Sequence, residues 1–480
     1  MLLRRIYDDS LAQASYLVGS DNGDALVLDP NRDADQYIRL ATSLDLQIVA
    51  VAETHIHADF VSGVRELAAS TGARLMLSDA GPPEWKYAFA AQAGATLLRD
   101  GDVIEIGEVL VRAMHTPGHT PEHLSFVLSD TAATEQPMGI FTGDFVFVGD
   151  VGRPDLLETA AGVAGSKEKS ARQLYASLQR FRTLPEYVQV WPGHGAGSAC
   201  GKALGNVPQT TVGYEQRFSW AFAVREEDEF VRRVLDGLVA PPRYFAQMKR
   251  VNQQGPAPLA SLPDPQELAP ASIGDALRAG TMVVDTRPAQ AYAAGHIPGT
   301  LNIPAGPALI TWAGALLPYD EPLALITEPE HAGPVTTRLR LIGLDDISGY
   351  WTPEVFRAWE ADGRALETVR KLDPAGLQQM MRDNEVAVLD VRGGDEYQAG
   401  HIPGSLHIPL AQLELRIGEI PDSRPVAVHC QGGTRSAIAA SLLLRQGRTD
   451  VLDLSTGFGG WQAEGQPVEG VARRAIVPKD

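Results

Sequence analysis

Five short stretches of this 480-residue chain hold side chains that can do chemistry. "THIHADF" sets His55, His57 and Asp59 at alternate positions, "HTPGHTPEH" brings His119, "FTGD" ends on Asp144, and "WPGHG" carries His194. A lone histidine at a strand end more often caps a helix or satisfies a core carbonyl, but the set does not reduce to that. Neutral imidazoles and carboxylates bind zinc, iron and manganese, and their number and spacing decide which metal and how many. The fifth stretch, "CQGGTR", starts at Cys430, one of only two cysteines, and runs through Gln431, Gly432, Gly433 and Thr434 to Arg435. A cysteine between a buried strand and a helix has loop amides and the positive helix end directed at its sulfur, which stabilises the thiolate. The arginine adds a fixed charge able to hold an anionic substrate by paired hydrogen bonds.

The elements that must position these groups differ between the two halves. Strand-like runs such as "ASYLVGS", "DALVLDP" and "QIVAVAET", then helical stretches, then strands from "GDVIEIGEVLVRAMHT" to "HLSFVLSD" predict a mixed sheet arrangement covered by helices over residues 1–252. The Pro-, Gln- and Ala-rich stretch 253–267 reads as a linker. Beyond it, "VVDTRPAQAYAAGHIPGTLNIP" and "VLDVRGGDEYQAGHIPGSLHIP" match without a gap, so one small domain is duplicated, over 268–365 and 366–480. Strands alternating with helices predict a parallel α/β sheet in each copy. The first copy has "LALITEPEHAGPV" where the second has "VAVHCQGGTRS", and with no cysteine it lacks the nucleophile. Asp285 and Arg287 recur as Asp390 and Arg392; their presence in a copy without a cysteine predicts a structural ion pair.

The first half resembles the metallo-β-lactamase superfamily, whose "HxHxDH" signature is nearly reproduced; Phe60 stands where the signature has its last histidine. That loss argues for one metal ion. Within the superfamily, "THxHAD", "TPGHT" and "FTGD" in series are most similar to the persulfide dioxygenases. That resemblance implies an αββα sandwich and a single Fe(II) per chain held by His55, His119 and Asp144, with His57, Asp59 and His194 orienting the ligands. Arg153, in a "GRxD" stretch, either meets the anionic end of a thiol carrier or pairs with Asp155. Cys200, just after the His194 stretch, is an inert core thiol or, if its loop brings it near the metal, a sulfur contact.

The loop from Cys430 to Arg435 resembles that of the rhodanese sulfurtransferases. Four residues separate Cys and Arg, against five in the cysteine phosphatases, and "GHIPGS" and "GFGGW" add to the likeness. The whole is similar to bacterial fusions of a persulfide dioxygenase with an inactive and an active rhodanese domain. The fusion implies oxidation of a low-molecular-weight persulfide by O2 to sulfite and thiol, coupled to sulfur transfer through a Cys430 persulfide that makes or uses thiosulfate. The carrier thiol, whether glutathione, coenzyme A, cysteine or bacillithiol, is not selected by any motif. The rivals are a two-zinc thioesterase of glyoxalase II type, which Phe60 opposes, and a non-oxidative sulfur carrier.

Composition narrows the partners. A net charge of −19 repels nucleic acid and anionic membranes. "MLLRRIYDDS" lacks the apolar core of a secretory signal and no stretch is long and apolar enough to span a bilayer. Two cysteines in separate domains fit a reducing cytoplasm, and the resemblance implies a homo-oligomer.

Overall fold

The computed structural model describes residues 1–159 and 165–470. They fall into two compact units, one made of Met1–Pro263 with Thr337–Asp345, the other of Asp264–Thr336 with the chain from Asp346 onward. The last part of the second copy, 471–480, lies outside the described residues.

Alternation along the strands explains the first unit. β1 (Leu2–Asp8), β2 (Gln13–Gly19), β3 (Asp24–Leu28), β4 (Gln47–Ala52), β5 (Arg74–Ser78) and β6 (Thr96–Leu98) form one sheet in chain order, antiparallel up to β3 and parallel after it. A second sheet holds β7 (Val103–Ile106), β8 (Val109–His115), β9 (Leu124–Asp130), β10 (Gly139–Gly143), β11 (Gln189–Pro192) and β12 (Thr210–Thr211), with only β10 and β11 parallel. Tyr16, Val18, Leu26 and Leu28 face inward and meet Val111, Phe126, Phe141 and Trp191 of the second sheet. Their neighbours Leu17, Ala25 and Val27 point the other way, onto Tyr37 and Leu67 of the helices Ala34–Ser43 and Val64–Thr71. Ile140 and Val190 do the same beneath Leu174, Leu178 and Phe181 of the helix Ser166–Phe181. Period-two burial on both faces of both sheets gives the expected αββα sandwich.

Two features of this unit differ from the linear reading. The helix Tyr244–Gln254 runs into the stretch expected to be linker. Its Asn252, buried, donates from Nδ2 to the carbonyls of His57 (2.8 Å) and Phe60 (2.7 Å) and accepts from the Ser62 N–H (2.9 Å). Composition reads as linker from Gln253 because a run of Gln and Pro does not show that the helix entering it carries an amide that satisfies a loop 190 residues away. Segment Thr337–Asp345 of the first copy also belongs to this unit: the Val61 N–H donates to the Leu341 carbonyl (2.7 Å), and buried Arg32 pairs with Asp345 (3.0 Å).

The second unit carries two parallel sheets. β13 (Met282–Asp285), β14 (Leu301–Asn302), β15 (Leu323–Ile326) and β16 (Ile347–Trp351) are ordered β14-β13-β15-β16. β17 (Arg370–Leu372), β18 (Ala387–Asp390), β19 (Leu406–His407), β20 (Val426–His429) and β21 (Val451–Leu454) are ordered β17-β21-β20-β18-β19. The repeat is structural as well as sequential. Arg287 grips Asp285 and the Gly295 carbonyl, and Arg392 grips Asp390 and the Gly400 carbonyl. Tyr292 stacks on His296 and Tyr397 on His401, each with centroids 3.9 Å apart at 11°. Among the described residues no helix is long and apolar enough to cross a membrane.

Removing the carboxylate at Asp345 leaves the buried Arg32 guanidinium with backbone carbonyls alone. Asp345→Ala is expected to destabilise the first unit by about 2–3 kcal/mol in urea unfolding; a change below about 0.5 kcal/mol would place the pair among inconsequential surface bridges.

Candidate metal centre and cysteine loop

The strand ends of both sheets in the first unit deliver the histidines to one place. His55 follows β4, His119 lies between β8 and β9, and Asp144 follows β10. His55 Nε2 and His119 Nε2 lie 3.8 and 3.4 Å from Asp144 Oδ2, and all three residues are buried. Their facing atoms are within 4.8 Å of one another. His55 Nε2 and both carboxylate oxygens of Asp144 have no hydrogen-bond partner. Buried polar atoms left unpaired cost about 1–3 kcal/mol each, so this convergence of two imidazoles and a carboxylate fits one divalent cation.

Each ring is turned toward that centre by its other nitrogen. His119 Nδ1 donates to the Arg153 carbonyl (3.0 Å), which leaves Nε2 as a lone pair. His55 Nδ1 lies 2.9 Å from Thr54 Oγ1, whose proton goes to Asp29, so the ring nitrogen is the donor there too. Burial, with the charge of His57 added, holds His55 well below the usual imidazole range, and burial lowers His119. Burial would raise the Asp144 carboxyl, but the charge of the neighbouring His194 outweighs it and keeps it ionised. Both states are those a metal ligand needs.

The remaining histidines take other partners. His57 Nε2 faces Asp29 (3.2 Å), and its ring packs on Phe60 with centroids 4.4 Å apart. His194 donates from Nδ1 to the Ala12 carbonyl (2.9 Å) and turns Nε2 to Asp59 (3.1 Å) and Asp144 (3.3 Å). Asp59, His194 and Cys200 form a second buried group whose ligand-type atoms lie within 4.8 Å of one another, and burial pushes the Cys200 thiol far up. Of the two roles open to Arg153, the geometry has the ion pair: it is buried, bidentate to Asp155 (2.7 Å each), and donates to the carbonyls of Ala199 and Val239.

Sequence reasoning passed over Asp29 and His123. Asp29, at the end of β3 with φ 50°, accepts from the Thr54 N–H (2.6 Å), Thr54 Oγ1 and His57. An aspartate directly after a buried strand, in "VLDP", was the available signal. His123 Nε2 accepts from the Asp144 N–H (3.2 Å) and its ring stacks on His55 at 5.0 Å. Gly143 before Asp144 has φ 47°, and a Cβ there would meet Thr54 Oγ1 at 2.5 Å and His123 Nε2 at 2.9 Å. Only glycine lets β10 enter the cluster so closely.

In the second unit, Cys430 follows β20 and is buried. The Gly433 N–H donates to its sulfur (3.1 Å), Ser436 Oγ lies 3.8 Å away, and the helix Thr434–Arg445 starts immediately after. The loop is held from behind by "GFGG": the Phe458 and Gly459 N–H groups donate to the carbonyls of Cys430 (2.7 Å) and Gln431 (3.0 Å). Gly457 has φ 61°, and a Cβ would meet those two carbonyls at 2.6 Å. Arg435 pairs with Glu396, a residue the sequence did not single out. Gln431 Oε1 accepts from Arg392 (3.3 Å).

Residues 9–194 match the metallo-beta-lactamase superfamily and residues 373–464 the rhodanese-like domain. A crystal structure of a metallo-beta-lactamase from Staphylococcus aureus subsp. aureus COL is 40% identical with a TM-score of 0.66, covering 74% of this chain and 99% of that one. A sulfurtransferase from Allochromatium vinosum is 36% identical over 101 residues, 21% of this chain and 94% of its own length. Two relatives of different activity match the first unit. The mitochondrial persulfide dioxygenase ETHE1 of Bos taurus is 26% identical over 200 residues, 40% of this chain and 68% of the relative. A hydroxyacylglutathione hydrolase of Francisella tularensis subsp. novicida is 29% identical over 196 residues, 40% of this chain and 66% of the relative. Identity does not separate dioxygenase from hydrolase; the metal-centre residues must.

Behind Cys430, burial lowers His429 to about 4 although Asp390 opposes it. Its folded value is below the unfolded one near 6.5, so the stability it contributes is present above pH 6.5 and lost as the pH falls toward 4. Wild type is expected to lose up to about 3 kcal/mol across that window from this group, and His429→Gln to lose correspondingly less. Equal pH dependence of urea unfolding in both proteins would assign the acid loss elsewhere.

Proposed function

We propose that this chain, which belongs to the metallo-beta-lactamase superfamily through its first unit and carries a rhodanese-like domain over 373–464, is a persulfide dioxygenase coupled to a sulfurtransferase. The observation that carries the reading is the donor set His55, His119 and Asp144, with His57 engaged by Asp29 and Phe60 at the position of a further histidine. Two imidazoles and one carboxylate suit a single Fe(II). When bound, the iron would offer open positions to the terminal sulfur of a persulfide and to dioxygen.

The chain's own residues then have distinct tasks. The Arg153 carbonyl and Thr54 hold His119 and His55 with Nε2 forward. His123 fixes the Asp144 main chain, and His194, itself paired with Asp59, faces its side chain from behind. Phe60, packed on His57, keeps that side of the centre dry. In balance, one persulfide, one dioxygen and one water give the thiol, sulfite and two protons. The substrate is a low-molecular-weight persulfide of glutathione, coenzyme A, cysteine or bacillithiol, each of which is released as its own thiol.

In the rhodanese-like domain the Cys430 thiolate accepts sulfane sulfur as a persulfide, held by the Gly433 amide and the helix N-terminus. Sulfite attacks its outer sulfur, the S–S bond breaks, and thiosulfate leaves with the Cys430 thiolate restored; the reverse uses thiosulfate. Residues 268–365 are a second rhodanese-like domain, inactive for want of a cysteine, between the dioxygenase (1–252, linker 253–267) and the active copy (366–480). Tethering keeps both centres at high effective concentration for a reactive intermediate. Two free cysteines suit a reducing cytoplasm, and the protein works as a homo-oligomer.

A second reading, a two-zinc thioesterase, draws on the group Asp59, His194 and Cys200 and on the hydrolase relative. Metal content and oxygen uptake decide between them. Iron-loaded protein is expected to hold one iron per chain and to consume oxygen on addition of glutathione persulfide, with His119→Ala lowering the rate more than about 100-fold. Cys430→Ser should stop thiosulfate formation and leave sulfite to accumulate. Two zinc ions per chain with thioester cleavage and no oxygen uptake would sink the oxidative reading.

A further inference from the structure

The edge of Arg435 that would hold an anion already holds one. Nη1 and Nη2 donate to the two carboxylate oxygens of Glu396 at 2.6 and 2.8 Å, a fork-to-fork pair. Glu396 Oε2 also accepts from the Gly393 N–H (2.9 Å), which fixes the carboxylate in the first turn of the helix Gly394–Ala399. The pairing with Arg435 keeps the Glu396 carboxyl below its ordinary range. The Glu396 side chain is 37% exposed, so a ligand can reach it.

The cavity beside the loop, of about 390 Å³, is lined by Arg392, Asp395, Glu396, Gln431, Phe458 and Gln462. Arg392 is neutralised by buried Asp390, and Glu396 by Arg435, so Asp395 leaves the lining with no excess positive charge. A doubly charged sulfonate entering it meets no free cation.

The internal repeat separates this pair from the scaffold. Register equates Asp285 with Ile326 in the first copy and Asp390 with His429 in the second, so Thr327 stands where Cys430 does and Ala332 where Arg435 does. The gapless match places Ala291 opposite Glu396. The first copy keeps the Asp–Arg pair and the Tyr–His stack, yet lacks Cys, Arg and Glu together. Glu396 is therefore present in the copy that has the cysteine and the arginine and absent from the copy that lacks both, where Pro288 stands opposite Gly393 and has no N–H to offer it.

We infer that Glu396 is a specificity-determining residue, an internal occupant of the anion-binding edge of Arg435 that favours organic persulfides over thiosulfate as the sulfur donor to Cys430. The inference rests on the reading of Cys430 as a persulfide carrier. Thiosulfate must displace the carboxylate to place its sulfonate on Arg435. An organic persulfide need not: the Cys430 thiolate attacks its terminal sulfur, the S–S bond breaks, and the carrier thiolate leaves with the electron pair and takes up a proton. No net oxidation occurs. In the other direction, Glu396 reclaims Arg435 and drives thiosulfate out once sulfite has taken the sulfur.

The test loads Cys430 in the full-length protein with thiosulfate or glutathione persulfide and follows one added sulfur by intact mass. In Glu396→Gln the ratio of kcat/KM for thiosulfate to that for the persulfide is expected to rise at least about tenfold, carried by a lower KM for thiosulfate. Glu396→Asp, whose shorter side chain draws the carboxylate back from the guanidinium, should move the ratio the same way and serves if the glutamine variant does not fold. A parallel fall in kcat for both donors, or an unchanged ratio, marks a structural role and overturns the inference. Failure of wild type to load from either donor, with Cys430→Ser indistinguishable from it, overturns the carrier reading and the inference with it.

Discussion

Burying ionisable groups without water is the constraint on which the first unit depends. His55, His57, His119, His123 and His194 lie with Asp29, Asp59 and Asp144 in a region almost closed to solvent, where an uncompensated charge costs several kcal/mol. The cluster is tolerable because the sandwich brings strand ends from both sheets together, so that each imidazole has one nitrogen on a carbonyl, hydroxyl or carboxylate. What those pairings leave over is Asp144, His55 Nε2, His57 Nδ1 and one oxygen of Asp59; of these, His55 and Asp144 converge with His119 on the group that fits a metal ion. Chemistry and stability are therefore set by the same hydrogen bonds.

Asp29 shows how far the dependence reaches. By taking His57 Nε2 and the Thr54 main chain, it fixes the ring of one histidine of the signature and, through Thr54, that of another. Phe60 then fills the space beside His57 with a ring and not a ligand. The same loop is held by Asn252 and by the Leu341 carbonyl, from segments far along the chain. The arrangement of these donor side chains is thus a property of the whole unit.

The second unit offers a comparison inside one molecule. Both copies keep the strand-end Asp–Arg pair and the Tyr–His stack at the same distance and angle, because these close the turn after the first strand whatever the site does. Only the second copy has the cysteine, the arginine and the glutamate. The contrast sorts side chains that hold the sheet from side chains that belong to the cysteine loop, in a way no single copy allows.

By itself the sequence determined the strand-rich first half, the duplicated parallel units, the histidines and carboxylate that gather as His55, His119 and Asp144, and the cysteine loop, because each is local: an alternation of apolar residues, a histidine at a strand end, a Gly-Gly turn before a helix. It determined the Asp390–Arg392 pair too, since the partners are two residues apart. Only the tertiary structure decided what depends on distant partners. Asp29 and His123 orient side chains supplied by other strands, Asn252 immediately precedes the stretch whose composition reads as linker, and Arg32 finds Asp345 across 313 residues. Arg435 meets Glu396 only because parallel pairing of β18 and β20 lays two loops side by side. Spacing along the chain carries residue type and period, whereas the direction in which a ring nitrogen or a guanidinium points is fixed by whatever the fold packs against it.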